Sequence, residues 1–142
     1  MTQFSKILIA NRGEIAVRIA RAAADLGIQT LSIYSEDDSN SLHIKKTDES
    51  AQLDGRGARA YLDIEQIINV AKLHNCDALH PGYGFLSENE ELAHRCQDEN
   101  ITFIGPLPST IGLFGDKVQA RALAESNAIP VVPGISEPVS LA

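Results

Sequence analysis

Tryptophan is absent from this 142-residue sequence, and aromatic residues make up only 5% of it. Because hydrophobic residues still amount to 44%, the core must be built mainly from aliphatic side chains. Basic residues are also scarce, since 12 Lys and Arg stand against 19 Asp and Glu and give a net charge of -7. Nucleic-acid surfaces need clustered Lys and Arg, so this balance argues against nucleic acid as a partner.

Cysteines and long apolar runs are also rare. Cys76 and Cys96 form no CxxC pair and have no cluster of metal-ligand residues around them, so we expect reduced thiols, a cytoplasmic location and no metal site. The N-terminal apolar run, Ile7 to Ala10, is too short for the apolar region of a signal peptide. No run approaches the ~18 apolar residues of a membrane span, so we expect no membrane association.

Strand and helix patterns alternate along the chain. The predicted strands cover residues 6–10, 30–34, 77–80, 101–104 and 129–132, with weaker ones near 42–44 and 50–53. The predicted helices run from Gly13 to about 26 and over 63–74, 87–98, 109–114 and 116–126. This alternation predicts an α/β domain of three layers, with helices on both faces of a mostly parallel sheet.

Several helix starts carry a short polar residue followed three positions later by Gln or Glu, as in a capping box. These pairs are Asp63 with Gln66, Ser87 with Glu90, and Asp116 with Gln119. Gly27 occupies the position of a glycine that ends a helix. His80 is expected to be hydrogen-bonded within the structure, and His43 is expected to lie on the surface.

Ligands of such sheets bind outside the carboxyl ends of the strands. Residues 11–14 (NRGE) follow the first strand and could form a phosphate loop, but a single glycine and the charge of Glu14 favour a tight turn. Gly55-x-Gly57-x-x-Ala60 matches a dinucleotide fingerprint as a string. Its helix begins several residues too late, so we interpret the match as accidental.

Lys117 falls at the first position of a predicted helix, where a cation opposes the helix dipole. This placement fits either a bound anion or a solvated surface lysine. Residues 80–90 (HPGYGFLSENE) place Tyr83 and Phe85 among glycines that allow close approach of a ligand. The two rings could cover a flat organic ring, or they could fold back onto the core of the domain.

Four segments occur in an order that closely resembles the N-terminal domain of biotin carboxylase, as found in biotin-dependent acyl-CoA and pyruvate carboxylases. They are KILIANRGEIAVRI, LHPGYGFLSEN, FIGP and GDKVQARALA. The resemblance covers about residues 6–134 and implies a Rossmann-like domain that precedes an ATP-grasp module. It implies a ligase that uses MgATP and bicarbonate to carboxylate N1 of carrier-bound biotin.

The resemblance also implies roles for individual residues. Lys117 matches a lysine that contacts ATP phosphate. Tyr83 and Gly84 match positions beside the biotin ring, Phe85 adjoins them, and Glu88 matches a carboxylate near the bicarbonate and biotin pocket. The helix with Arg18, Arg21 and Asp25 resembles the homodimer face of the family.

The resemblance further implies partners and domain limits. Expected partners are a biotin carboxyl carrier and a carboxyltransferase. Residues 1–134 would form the domain, and 135–142 would begin the linker to the ATP-grasp part. Since one lysine cannot carry out phosphoryl transfer, and ATP and Mg²⁺ are held mainly by the ATP-grasp part, we expect no catalytic or metal-binding residue in this chain and no activity from it alone. Two alternatives are a non-catalytic dimerisation module and the front domain of another ATP-grasp ligase.

Overall fold

A computed structural model describes residues 4–132, and these contain five strands. The strands are β1 (Lys6–Ile9), β2 (Gln29–Tyr34), β3 (Glu49–Gln52), β4 (Ala78–His80) and β5 (Thr102–Phe103). All pairs are parallel, and the order across the sheet is β3-β2-β1-β4-β5. The central place of β1 agrees with its sequence, because KILI is a continuous apolar run of the kind that parallel sheets bury on both faces.

The helices begin and end close to where the sequence predicts. They are α1 (Gly13–Asp25), α2 (Ile64–Leu73), α3 (Glu90–Asp98), α4 (Pro108–Gly115) and α5 (Lys117–Ser126), with short 3-10 segments at Glu36–Asp38, His43–Lys45 and Gly57–Leu62. Gly27 has φ +70° just after α1, as predicted for a glycine that ends a helix. The Asp63 carboxylate accepts from the amide of Gln66 at 3.0 Å and caps α2, as predicted.

Both faces of the sheet are covered, so the predicted three layers are confirmed. On one face, Leu8 belongs to a buried cluster that includes Ile68 of α2 and Leu92 of α3. On the other face, Ile9 packs against Ala16 of α1. Each fully buried Leu or Ile side chain contributes about 1.5–3 kcal/mol to stability, so these contacts hold the layers together.

The weak strand predicted near residues 42–44 is wrong, and so is the surface position predicted for His43. This segment forms a 3-10 turn in which His43 is fully buried. Its Nε2 donates to the carbonyl oxygen of Ile33, a residue of β2, at 3.1 Å. The segment therefore turns its polar side chain inward to a residue of β2 and forms a 3-10 turn instead of a strand.

The strand predicted at residues 129–132 is also wrong. This segment has no regular structure, and Ile129 and Val132 are 57% and 82% exposed. Pro130 lacks the amide that a strand would donate, and the carbonyl of Val132 accepts instead from Nη1 of Arg121 on α5 at 2.8 Å. The connection predicted from Pro133 onward lies outside the described residues.

Among residues 4–132, no helix is both long and apolar enough to cross a membrane. Cys76 and Cys96 are free and buried. Burial raises the pKa of the Cys76 thiol to about 11 and that of the Cys96 thiol to about 12. Both thiols are therefore protonated at neutral pH, in the manner of structural cysteines.

Candidate functional site

The carboxyl ends of β1 and β4 lie side by side in the centre of the sheet. Ile9 is paired with His80, and the amide of Ala10 donates to the carbonyl oxygen of His80 at 2.9 Å. The strand order reverses here, because β2 and β3 lie on one side of β1 while β4 and β5 lie on the other. Ligands bind at such reversals in α/β sheets, so the candidate site is formed by the first βα turn (residues 10–14) and the pocket loop (residues 81–89).

Asn11 joins these two segments. Its side chain is fully buried, and Nδ2 donates to the carbonyl oxygens of Pro81 at 2.7 Å and of Tyr83 at 3.0 Å. Its Oδ1 accepts from the amide of Arg12 at 2.9 Å. Residues 11–14 therefore form a turn whose buried amide binds the pocket loop, in agreement with the tight turn that the sequence favours.

The pocket loop needs the left-handed region of φ at three places. Gly82 and Gly84 both have φ +68°, and Phe85 has φ +46°. The amide of Gly82 donates to Nδ1 of His80 at 3.0 Å, so His80 is hydrogen-bonded within the structure as predicted. Burial lowers the pKa of His80, which favours the neutral ring that can accept this bond.

Tyr83 and Phe85, the two aromatic residues of the loop, point in different directions. Tyr83 is 59% exposed, and its hydroxyl donates to Oε1 of Glu14 at 3.0 Å. This hydrogen bond and the charge of Glu14 raise the pKa of Tyr83. Phe85 is half-buried, and its ring centroid lies 5.3 Å from that of Tyr61. The sequence allowed the two rings either to face a ligand or to fold back onto the core. In the structure Tyr83 faces outward, and Phe85 packs onto the domain.

Arg12 lies over the two packed rings. Its guanidinium carbon is 5.6 Å from the centroid of Tyr61 and 5.8 Å from that of Phe85, distances at which a cation is attracted to a ring face. Its Nη1 also donates to Oδ2 of Asp38 at 3.0 Å. Arg12 therefore ties the base of the pocket loop to the segment after β2.

Asp38 collects hydrogen bonds from several side chains. It accepts from the hydroxyl of Tyr61 at 2.7 Å, from Arg12, and from the hydroxyl of Ser41 at 3.0 Å. Burial raises the pKa of this carboxyl, but these hydrogen bonds and the charge of Arg12 outweigh it, and the net shift is downward. Burial and the neighbouring Asp38 raise the pKa of Tyr61 to about 12, so its hydroxyl remains a donor.

Glu88 lies at the far end of the pocket loop. Its side chain is exposed and lines a cavity of about 530 Å³ together with residues such as Pro106, Ile111 and Phe114. The predicted Ser87–Glu90 capping box is wrong, because Asn89 caps α3 by accepting from the amide of Leu92 at 2.9 Å.

The left-handed residue at position 85 accounts for this difference. It lies in the first of two successive turns, in which the amide of Ser87 donates to the carbonyl oxygen of Gly84 and that of Asn89 to the carbonyl oxygen of Leu86. Glu88 therefore precedes α3, whereas the helix predicted over 87–98 would have placed it in the first helical turn.

Lys117 is the first residue of α5, as predicted. Asp116 caps this helix by accepting from the amides of Val118 at 2.8 Å and Gln119 at 3.1 Å. Lys117 is exposed, and within residues 4–132 it forms no ion pair that would neutralise its charge. Its ammonium group is therefore free to meet an anion.

Arg18, Arg21 and Asp25 lie on the exposed surface of α1. No ion pair within the described part of the chain involves these side chains, although Arg21 and Asp25 are one helical turn apart. Charges of both signs thus remain available on this face.

Two classes of site have no support in residues 4–132. These residues contain no group of three or more His, Cys, Asp and Glu side chains that could hold a metal ion. Gly55 and Gly57 follow β3 and lead into a 3-10 segment, whereas the dinucleotide fingerprint requires the first βα turn. This placement agrees with interpreting the Gly55 string as accidental.

Sequence reasoning missed the roles of Asn11, which lies in the first βα turn, and of Asp38, which supports that turn through Arg12. Asn11 binds a partner 70 residues away, and Asp38 binds Tyr61 from 23 residues away, so no local pattern shows either contact. The available signal was the position of Asn11 directly after an apolar strand. A polar side chain at the end of a buried strand must find hydrogen-bond partners.

The family described as biotin carboxylase, N-terminal domain, matches residues 3–111. The chain belongs to this family. The predicted resemblance is thereby confirmed. The family match decides against the alternative of a front domain from another ATP-grasp ligase.

The relatives of this biotin carboxylase domain are much longer proteins. Pyruvate carboxylase from Staphylococcus aureus (strain Mu50 / ATCC 700699) is 55% identical over 141 residues, which are 98% of this chain and 12% of that protein. Biotin carboxylase 2 from Bacillus subtilis (strain 168) is 51% identical over 135 residues, which are 94% of this chain and 30% of that protein. The chain therefore spans 12% to 30% of the length of these relatives.

Solved structures agree with this fold. The biotin carboxylase domain of a single-chain bacterial carboxylase has a TM-score of 0.92 at 49% identity, over 96% of this chain and 32% of that one. The biotin carboxylase domain dimer of Hydrogenobacter thermophilus 2-oxoglutarate carboxylase, solved with MgADP and bicarbonate, has a TM-score of 0.93 at 43% identity, over 96% of this chain and 30% of that one. The predicted α/β fold is thus that of biotin carboxylase domains.

Proposed function

We propose that this chain is the N-terminal part of a biotin carboxylase, a ligase that carboxylates N1 of carrier-bound biotin with MgATP and bicarbonate. The observation that carries the proposal is the exposed ring of Tyr83, held between two glycines at the strand-order reversal of a chain in this family. Such a ring offers a flat surface on which the fused rings of biotin can pack.

The pocket loop divides the binding work among its residues. Tyr83 lies beside the biotin ring, and Gly84 leaves room for it, because a Cβ added at Gly84 would have no atom within 4 Å. Phe85 adjoins the pocket from below and fixes the loop through Tyr61. Glu88 lies toward bicarbonate and biotin, where its exposed carboxylate orients a basic residue from a later part of the protein.

ATP and Mg²⁺ are held mainly outside this chain. Bound MgATP supplies the phosphoryl group that activates bicarbonate, and Mg²⁺ needs oxygen ligands. Since residues 4–132 hold no carboxylate cluster for a metal, we place the metal ligands and the catalytic groups in the rest of the protein. Residues 1–134 then form the domain, residues 135–142 begin the linker, and the partners are the biotin carrier and the carboxyltransferase. A cytoplasmic location stays a prediction, supported by the free thiols.

Bicarbonate-dependent ATP hydrolysis in the presence of free biotin tests this function. The 142-residue chain is expected to show none, whereas a longer polypeptide that joins this chain to an ATP-grasp part is expected to turn over. Turnover by the 142-residue chain would show that the catalytic groups were wrongly assigned to another part of the protein. A longer polypeptide whose ATP hydrolysis does not depend on biotin would refute the proposed function.

Replacing Lys117 by Ala in the longer polypeptide is expected to raise the KM for ATP about tenfold or more, because a contact to a charged group is worth about 1.5–3 kcal/mol. The free ammonium group at the start of α5 is the physical reason. Lys46→Ala removes another exposed lysine and serves as the matched control. An unchanged KM and kcat for ATP in Lys117→Ala would remove Lys117 from the ATP site.

A second candidate function is self-association through α1, favoured by the exposed and unpaired charges of Arg18, Arg21 and Asp25 within the described residues. The related 2-oxoglutarate carboxylase domain was solved as a dimer, and we propose a homodimer here as well. Sedimentation at several concentrations distinguishes a dimer from a monomer. A tight dimer in which neither ATP nor biotin binds the longer polypeptide would favour a dimerisation module without catalysis.

A further inference from the structure

The pocket loop is held in place by residues of the first βα turn. Asn11 has no exposed surface, and its side-chain amide uses all of its polar atoms on the turn and the loop. A buried amide at the end of an apolar strand is costly unless it is hydrogen-bonded. Its two bonds to Pro81 and Tyr83 therefore fix the course of the loop backbone on both sides of Gly82.

Gly82 lies directly against this amide. A Cβ added to Gly82 would lie 2.6 Å from Nδ2 of Asn11 and 2.8 Å from Cγ2 of Ile15. At Gly82, the loop backbone therefore packs closely against the side chains of Asn11 and Ile15. This contact leaves the loop no room to shift toward the turn.

Glu14 holds the other end of the same tyrosine. Its carboxylate accepts from the Tyr83 hydroxyl at 3.0 Å, on the exposed side of the loop. The carbonyl oxygen of Tyr83 and its hydroxyl oxygen are therefore both bonded to the turn, at opposite ends of the residue. Because the backbone and the hydroxyl of Tyr83 are both held, its ring loses less conformational freedom when a ligand packs on it.

We propose that Asn11 and Glu14 are positioning residues that hold the Tyr83 ring in its ligand-binding orientation before biotin arrives. This inference rests on the proposed function. In this proposal neither side chain contacts biotin, and both act through Tyr83. The inference requires that loosening either contact weakens the use of biotin and leaves the use of ATP unchanged.

The test uses two variants in the longer polypeptide. Asn11→Asp keeps the acceptor for Arg12 but replaces the donor to the two loop carbonyls, and it is expected to raise the KM for free biotin about tenfold. Glu14→Ala removes only an exposed acceptor and is expected to raise it about threefold. The KM for ATP is expected to stay at the wild-type value in both, and Tyr83→Ala shows the effect of losing the ring altogether.

Two controls separate positioning from general destabilisation. Thr30→Val removes a buried hydroxyl that donates to Asp48 at 2.8 Å, far from the loop, and is expected to lower the melting temperature without changing either KM. Glu36→Ala removes an exposed carboxylate outside the site and is expected to change nothing. If Asn11→Asp and Thr30→Val changed both KM values in parallel, the role of Asn11 would be structural only and the inference would be overturned.

A readout without activity completes the test. In the 142-residue chain, the NMR amide shifts of Gly82 and Gly84 are expected to move in Asn11→Asp and Glu14→Ala and to stay in place in Thr30→Val. Unchanged loop shifts together with an unchanged KM for biotin would overturn the inference. A wild-type enzyme that does not use biotin would refute the proposed function instead, while the amide shifts would still report whether the turn holds the loop.

Discussion

Gly82→Ala is expected to destabilise the 142-residue chain by about 2–5 kcal/mol, since a left-handed alanine costs about 1–2 kcal/mol and overpacking adds about 1–3. Gly82 has φ +68°, and its Cβ would lie 2.6 Å from Nδ2 of Asn11. Asn11 cannot move aside cheaply, because that nitrogen is bonded to two carbonyl oxygens. Urea unfolding followed by circular dichroism measures the loss.

Gly84→Ala provides the matched control for Gly82→Ala. Gly84 has the same φ of +68°, but a Cβ there would meet no atom within 4 Å. Only the backbone strain of about 1–2 kcal/mol is expected. If both variants lost the same free energy of unfolding, the close contact with Asn11 would contribute nothing to the cost of Gly82→Ala.

Asp38→Asn is expected to destabilise the chain by about 1.5–3 kcal/mol at pH 7, the usual range for hydrogen bonds to a charged group. The Asp38 side chain is only 19% exposed, and it accepts from Tyr61 and Arg12 at 2.7 and 3.0 Å. An amide carries no charge, and its nitrogen must face either the shared donors Tyr61 and Arg12 at the Oδ2 position or the Ser41 hydroxyl at the Oδ1 position. Asp54→Asn, at an exposed carboxylate elsewhere, is expected to stay within about 0.5 kcal/mol of wild type.

The difference between wild type and Asp38→Asn is also expected to depend on pH. The pKa of Asp38 is lowered in the folded chain, whereas an unfolded aspartate titrates near about 3.9. The extra stability is therefore fully present above about pH 4 and is lost as the pH falls through the folded-state pKa. Unfolding measured from pH 7 down to about pH 2 should show a constant difference above about pH 4 that shrinks below it, and a difference that stays constant throughout would contradict the role of the Asp38 charge.

The fold was predictable because its signals are local. The apolar run of β1, the spacing of α1, and the caps at Asp63 and Asp116 each lie within a few neighbouring residues. The errors arise where distant partners decide the structure. Leu42 and Ile44 give residues 42–44 a weak alternation of apolar and polar residues, but Nε2 of His43 donates to the carbonyl oxygen of Ile33 and the segment turns inward.

The site was predictable in its location and only partly in its construction. The position of residues 81–89 after a strand follows from the α/β order, and the exposed ring of Tyr83 agrees with a binding surface. The inward course of Phe85 depends on Tyr61 and Arg12, which come from other parts of the chain. No spacing rule in one sequence reports such a contact, because the residues meet only after the sheet has formed.

The burial of Cys76 and Cys96 should allow selective chemical labelling of the pocket loop. Maleimides attack thiolates, and both native sulfur atoms are buried and protonated at neutral pH. A cysteine introduced at an exposed position of the pocket loop would be the main site of labelling by a fluorophore, even with both native cysteines retained. The approach of a ligand or a partner to Tyr83 could then be followed optically in an otherwise native chain.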